Sequence, residues 1–281
     1  LGGPALLFLA IKVTQEAAMS DPLAQPGVAL PRLAVFTDFD GTLVEIAETP
    51  DAIDVPAELT ERIDRALHDF DNAFAVLTGR EIADIDRYLS PLQLPIAGAH
   101  GAQRRRADGT LEEIDEALTA GADAIAHALQ PLVVANPDLL VEAKDGAVAL
   151  HFRQAPELEN VVHLAMQEAL VDHPQFTLVP GKMVLEARPL GFDKGAALRA
   201  FMQEEPFAGR TPIFIGDDRT DEDAFRAAQE LGGVGIKLGA GETSARMRIA
   251  DVASVHALLL GLGNLAHGEV NHAPLITDTH H

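Results

Sequence analysis

The chain of 281 residues contains no cysteine. That excludes a disulfide framework, a thiolate nucleophile and a zinc site built on sulfur, and it suits the cytoplasm, where the protein is expected. Basic residues are scarce: 21 Lys and Arg stand against 43 Asp and Glu, a formal net charge of −22. Such a chain repels nucleic acid and anionic membranes. The one basic run, Arg104-Arg105-Arg106, is expected to be a solvated loop. The N-terminal stretch Ala5 to Val13, apolar apart from Lys12, is too short to span a bilayer and has no basic region before it. Asp21-Pro22 and Gln25-Pro26-Gly27 then read as linker, so residues 1–30 are expected to be a poorly ordered leader. A polar tail with scattered histidines, 263–281, is expected to fray. No repeat at solenoid spacing is present. The expected partner is a small molecule, with no nucleic acid and no membrane, and the expected state is a monomer.

A hydrophobic content of 47% supports a real core. Leu33 to Phe36 form an apolar run without alternation, as in a parallel strand covered on both faces. Pro56 to Phe70 carries Leu59, Ile63 and Leu67 at helical spacing; Phe74 to Leu77 is a second short strand, Glu81 to Leu89 a short helix, and Pro95 to Ala99 a third strand. Strand–helix alternation returns after Asp193, with a helix through Glu204, a strand over Thr211 to Ile215, a helix from Thr220 and a strand over Gly233 to Leu238. Between these halves the pattern is helix, hairpin, helix, hairpin. The first hairpin turns at Asp145-Gly146, a strong type I′ signal, and the second at Pro180-Gly181. Glu142, Lys144, His151 and Arg153 share one face of the first; Lys182, Glu186 and Arg188 alternate with Met183, Leu185 and Ala187 in the second. The expected fold is a doubly wound, Rossmann-like α/β core with a parallel sheet, over 31–101 and 189–262, interrupted by an α+β insertion over 102–188.

Four segments lie at strand ends or helix starts: Asp38-Phe39-Asp40-Gly41-Thr42, Thr78-Gly79-Arg80, Lys194, and Asp217-Asp218 with Asp221. Ligands of open α/β sheets bind at that edge. In extended backbone Asp38 and Asp40 face the same way, and Gly41 permits a sharp turn that frees backbone N–H groups for an anion. Carboxylates from two strand ends suit a hard cation such as Mg²⁺, while a hydroxyl and an ammonium suit phosphoryl oxygens. Each segment alone reads equally well as a turn, a cap or a surface lysine. Together, at strand ends, they point to phosphoryl transfer, because clustered buried acids are expensive without a purpose.

In this order the segments resemble the four motifs of the haloacid-dehalogenase superfamily, and within it the chain is similar to the trehalose-6-phosphate phosphatases from Leu33 to Leu260. The narrower likeness rests on Gly98-Ala99-His100-Gly101, on Glu142-x-Lys144 followed by His151-x-Arg153, on Gly181-Lys182-x-Val184-x-Glu186-x-Arg188-Pro189, and on Gly216-Asp217-Asp218 through Phe225. The resemblance implies that Asp38 is the nucleophile and forms an aspartyl-phosphate, with Asp40 as general acid and then base. It implies Mg²⁺ on the Asp38 carboxylate, the Asp40 backbone carbonyl and Asp217, with Asp221 acting through water and Asp218 orienting Lys194 or a water. Thr78 and Lys194 would hold the phosphate. The insertion would be a cap, with Glu142, Lys144, Arg153, Lys182 and Glu186 reading the sugar, Phe39 counted with the substrate-binding residues, and His100, His151 and Arg188 as further candidates. A sucrose-phosphate or mannosyl-phosphoglycerate phosphatase, or a phospho-accepting signalling domain, remains an alternative at this point.

Overall fold

The computed structural model describes residues 32–47, 53–112, 114–144, 146–181, 183–266 and 277–278. The expected leader, most of the expected tail, Asp145, Lys182 and the side chain of Lys144 lie outside the described residues. In chain order the elements are β1 (Leu33–Thr37), α1 (Leu59–Asp69), β2 (Phe74–Leu77), α2 (Ile82–Leu89), β3 (Ile96–Gly98), β4 (Gln103–Arg105) and β5 (Leu111–Glu112). Then come α3 (Glu116–Ala135), β6 (Leu140–Lys144), β7 (Ala147–His151), α4 (Glu159–Ala169), β8 (Phe176–Gly181) and β9 (Val184–Pro189). The chain closes with α5 (Lys194–Phe201), β10 (Thr211–Gly216), α6 (Glu222–Glu230), β11 (Val234–Leu238), β12 (Met247–Ile249), α7 (Val252–Ala266) and β13 (Thr277–Asp278).

The chain divides into two compact units, Leu1–Leu111 with Asp193–His281, and Glu112–Phe192. The larger sheet runs β13-β12-β11-β10-β1-β2-β3-β4-β5. Strands β12 to β3 of that order are parallel, and β4 and β13 are antiparallel to their neighbours. Both faces are covered, which is why these strands read as unbroken apolar runs. Val35, Val76, Ile213 and Ile236 pack with Ile63 of α1, Ile85 of α2 and Leu258 of α7. Ala34, Phe36 and Phe214 pack on the other side with Leu198 and Phe201 of α5 and Phe225 of α6. Sequence order reverses between β1 and β10, so their C-terminal ends form the switch point where such sheets bind ligands.

The basic run is not a solvated loop. Arg104 and Arg105 belong to β4, where Ile96 pairs with Arg105. Arg105 is buried; its guanidinium donates to both carboxylate oxygens of Asp86, at 2.8 and 2.7 Å, and to the Leu94 carbonyl at 3.0 Å. Arg104 and Arg106 both reach Glu204, at 3.3 and 2.6 Å. The strand was invisible to pattern because Gln-Arg-Arg has no apolar residue, and its charges are balanced by acids far away in sequence. The insertion accordingly occupies Glu112–Phe192, where the sequence suggested 102–188.

The insertion is an antiparallel sheet, β6-β7-β9-β8, with α3 and α4 on its apolar face. Helix α3 is long and apolar enough to cross a membrane by length and composition, but Ala122, Ile125 and Leu129 are buried in this unit's core. Lys144 pairs with Ala147, so the first hairpin closes between them, with Gly146 at φ +70°, where the sequence predicts its turn. The second turn is displaced. Pro180 and Gly181 belong to β8 and pair with Leu185 and Val184, so the hairpin closes between Gly181 and Val184, with Met183 at φ +64°. Pro180 is tolerated there because β8 is an edge strand, where a missing N–H removes no ladder bond.

Candidate active site

Asp38 is the first residue beyond β1, tied to β10 by its N–H, which donates to the Ile215 carbonyl at 2.8 Å. The side chain is buried. Its Oδ1 accepts the Phe39 N–H at 2.7 Å, and its Oδ2 lies 2.8 Å from Lys194 Nζ. Three residues on, Gly41 turns the chain at φ +71°. A Cβ there would stand 2.3 Å from Asp217 Oδ2, so the acidic loop after β10 can close against this turn only because the residue is glycine. Thr42 Oγ1 donates to Asp217 Oδ1 at 3.4 Å.

Lys194 opens α5, whose N-cap Asp193 accepts the Ala196 N–H at 2.7 Å. The ammonium is 2% exposed and sits between Asp38 and Asp221, at 2.8 and 2.7 Å. Burial works against its charge, but the two carboxylates outweigh burial and hold it above the usual lysine value. Asp221 is fully buried; its Oδ2 accepts the backbone N–H groups of Asp217 and Asp218, each at 2.9 Å. Asp218 forms a capping box with Asp221 and is exposed. The carboxylates that hold Lys194 are therefore those of Asp38 and Asp221, and of the two roles expected for Asp218 the one toward Lys194 falls to Asp221. Lys237 of β11, not anticipated from sequence, is buried and donates to the Asp217 carbonyl.

Carboxylate oxygens of Asp38, Asp217 and Asp221 lie within 4.8 Å of one another. Burial first, and the charge of Asp221 second, push the Asp38 carboxyl well above its ordinary value, although Lys194 opposes this. Burial, with Asp221 and Asp218 behind it, pushes Asp217 up to about 6. A divalent cation fits this all-oxygen set and would relieve that repulsion. Asp38 and Asp221 share Lys194 and also accept backbone N–H groups, Asp38 one and Asp221 two.

Asp40 faces elsewhere. Both its oxygens are taken by Arg80, with Nε at 2.7 Å from Oδ2 and Nη2 at 2.8 Å from Oδ1. Its carboxylate therefore points at a guanidinium, and a role toward a cation is left to the backbone carbonyl. Phe39 is wholly buried, its ring stacked on Tyr88 at 6.2 Å, so only its backbone can meet a ligand. Thr78 follows β2, fully buried, and its Oγ1 accepts the Arg80 N–H at 3.1 Å. His100 has φ +55°, and its ring lies against Gly79, where a Cβ would come within 2.6 Å of Nε2. Arg80 stood within a segment singled out by sequence but received no role there; its link to Asp40 crosses 40 residues and leaves no local signature.

In the insertion the register sets Glu142 opposite Ala149, Ala149 opposite Glu186, and Glu186 opposite Val179. Glu142 and Glu186 thus flank Ala149 on one face. His151 Nε2 lies 2.8 Å from Glu142 Oε2, and Arg188 Nε donates to Glu186 Oε2 at 2.6 Å. Glu186 is buried, Glu142 and Arg153 are exposed.

The family model for trehalose-phosphatase matches residues 36–254. The chain is 39% identical over 241 residues to trehalose-6-phosphate phosphatase of Escherichia coli, covering 86% of this chain and 90% of that one. It is 40% identical over 233 residues to a probable trehalose-phosphate phosphatase of Sinorhizobium fredii, covering 82% and 86%. A crystal structure of a trehalose-6-phosphate phosphatase related protein superposes with a TM-score of 0.69 at 29% identity, over 84% of this chain and 99% of the other. The C-terminal domain of the Candida albicans trehalose-6-phosphate phosphatase gives 0.69 at 20% identity over 94% and 98%, which speaks for the fold alone. The match runs through the whole insertion as well as the acid-lined sheet edge, and on that span the chain belongs to the trehalose-phosphatase family.

Proposed function

We propose that this chain hydrolyses trehalose 6-phosphate to trehalose and inorganic phosphate through an aspartyl-phosphate on Asp38. The observation that carries the chemistry is the buried Asp38 carboxylate, held by Lys194 beside Asp217 and Asp221 at the switch point. In the first step Asp38 attacks phosphorus, the bond from phosphorus to the sugar oxygen breaks, and Asp40 gives that oxygen its proton. In the second, Asp40 takes a proton from water, the water oxygen attacks phosphorus, and the bond to Asp38 breaks. Lys194 and the Thr78 hydroxyl bind the phosphoryl oxygens as their charge develops. Mg²⁺, held by Asp38, Asp217 and the Asp40 carbonyl, would supply the charge that offsets repulsion between the nucleophile and the phosphate. Glu142, Lys144, Arg153, Lys182 and Glu186 would recognise the sugar hydroxyls as the cap, with His100, His151 and Arg188 supporting them. Hydroxyls need such an array of donors and acceptors.

The substrate is tested by kcat/KM across a panel of sugar phosphates with Mg²⁺. Trehalose 6-phosphate is expected to lead; a clear preference for sucrose phosphate or mannosyl-phosphoglycerate would overturn the substrate and leave the chemistry standing. The nucleophile is tested with Asp38→Asn, which is expected to abolish turnover with an unchanged circular dichroism spectrum. Substantial remaining kcat would remove Asp38 from that role.

A further inference from the structure

Asp38 and Asp40 stand two residues apart yet keep different company. Lys194 serves Asp38, whereas Asp40 is gripped by Arg80 through two parallel N–H···O bonds of 2.7 and 2.8 Å. Arg80 is itself immobilised. Its side chain is 10% exposed, its guanidinium lies 5.4 Å over the Tyr88 ring, and Tyr88 stacks on Phe39, the residue between the two acids. Its backbone N–H donates to Thr78 Oγ1, so the same residue touches both the acid/base and the hydroxyl expected at the phosphate.

A partly exposed aspartate can adopt several rotamers, and Asp40 is 36% exposed on its side chain. A planar fork bound to both oxygens fixes both of its torsion angles, which a single-point ammonium cannot do. An acid/base has to meet the reacting oxygen within hydrogen-bond reach, and small displacements are costly. We propose that Arg80 is a positioning residue for the acid/base, its guanidinium setting the rotamer from which Asp40 moves protons. Arg80 acts through Asp40, and the proposal rests on the reading of Asp40 as acid and base given above.

The test is a double-mutant cycle on Arg80→Ala and Asp40→Asn, with Arg80→Lys alongside, measured with trehalose 6-phosphate and with p-nitrophenyl phosphate. Arg80→Ala is expected to lower kcat about 10- to 100-fold with KM within about twofold, as misplacement of a catalytic group does. Arg80→Lys recovers part of the loss. In the Asp40→Asn background the further loss should shrink to less than about twofold, the mark of residues acting as one unit. An equal loss in both backgrounds overturns the proposal, as does a raised KM with kcat unchanged, which would make Arg80 a substrate ligand. Where Asp40→Asn is too slow to measure, a crystal structure of Arg80→Ala decides: Asp40 in several rotamers supports the proposal and a single unchanged rotamer overturns it. An unaffected kcat in Asp40→Asn removes the acid/base reading and this proposal with it. Coupling seen only with p-nitrophenyl phosphate sinks the substrate and keeps the role of Arg80.

Discussion

Replacing Lys194 by methionine keeps the length of the side chain and removes its charge from between two buried carboxylates. In the folded protein the ammonium is 2% exposed and lies 2.8 Å from Asp38 and 2.7 Å from Asp221. Breaking a buried ion pair by removing one partner costs about 3–5 kcal/mol. Asp221 retains two backbone N–H donors and Asp38 one, which limits the loss. Protonation limits it too. The Asp38 carboxyl already sits well above its ordinary value, through burial first and Asp221 second, and the substitution removes the lysine that opposes them. A folded value raised above the unfolded one means that the folded state holds the proton longer, so stability falls as pH rises through the folded value. The penalty is therefore largest on the alkaline side. At roughly 2–4 °C per kcal/mol, Tm measured by scanning calorimetry at pH 8 in EDTA should drop by about 6–20 °C. Added Mg²⁺ should raise Tm more in the variant than in the wild type, because one opposing positive charge has gone from beside three carboxylates. A drop under about 2 °C, or a larger Mg²⁺ shift in the wild type, would refute the reasoning that Lys194 balances this cluster.

The same electrostatics explain what sequence could show. Asp38, Asp217 and Asp221 were legible because each ends or follows a strand covered on both faces, where a carboxylate after an apolar run needs a purpose. Lys194 was legible because Asp193 starts its helix just there. Turn chemistry located the first hairpin, which closes between Lys144 and Ala147, and misplaced the second, which closes between Gly181 and Val184, since a Pro-Gly pair is also compatible with an edge strand. The partners of charges were not legible. Arg80 with Asp40, Arg105 with Asp86, and Arg104 and Arg106 with Glu204 meet across 40, 19 and about 100 residues, through sheet order that no local period encodes. Lys237 has the same origin: a lysine at the end of a strand reads as surface until the fold lays the Asp217 carbonyl over it. Composition therefore announced the acids of the site, and only topology revealed which cations restrain them.

Gly41→Ala should destabilise the protein by about 1–3 kcal/mol in a urea melt and weaken Mg²⁺ stabilisation, since a Cβ at φ +71° would stand 2.3 Å from Asp217 Oδ2; an unchanged melt would show that the loop has room. Glu142→Ala should cut kcat/KM for trehalose 6-phosphate at least tenfold, on the order of one lost charged hydrogen bond, and spare p-nitrophenyl phosphate. Equal loss on both substrates would make Glu142 structural. The last expectation concerns pH. His256 Nε2 meets the Leu43 carbonyl at 3.0 Å, so this nitrogen carries the hydrogen. Burial first, and the charge of Arg62 second, hold the imidazole below its ordinary value against that bond. Below about pH 6.5 the unfolded chain therefore takes a proton that the folded protein refuses, and stability falls with falling pH until the depressed folded value is reached. His256→Gln keeps a neutral N–H donor without the titration. Guanidinium melts at pH 7.5 and 5.5 should show a smaller loss on acidification for the variant, and equal losses would show that His256 stays uncoupled from folding.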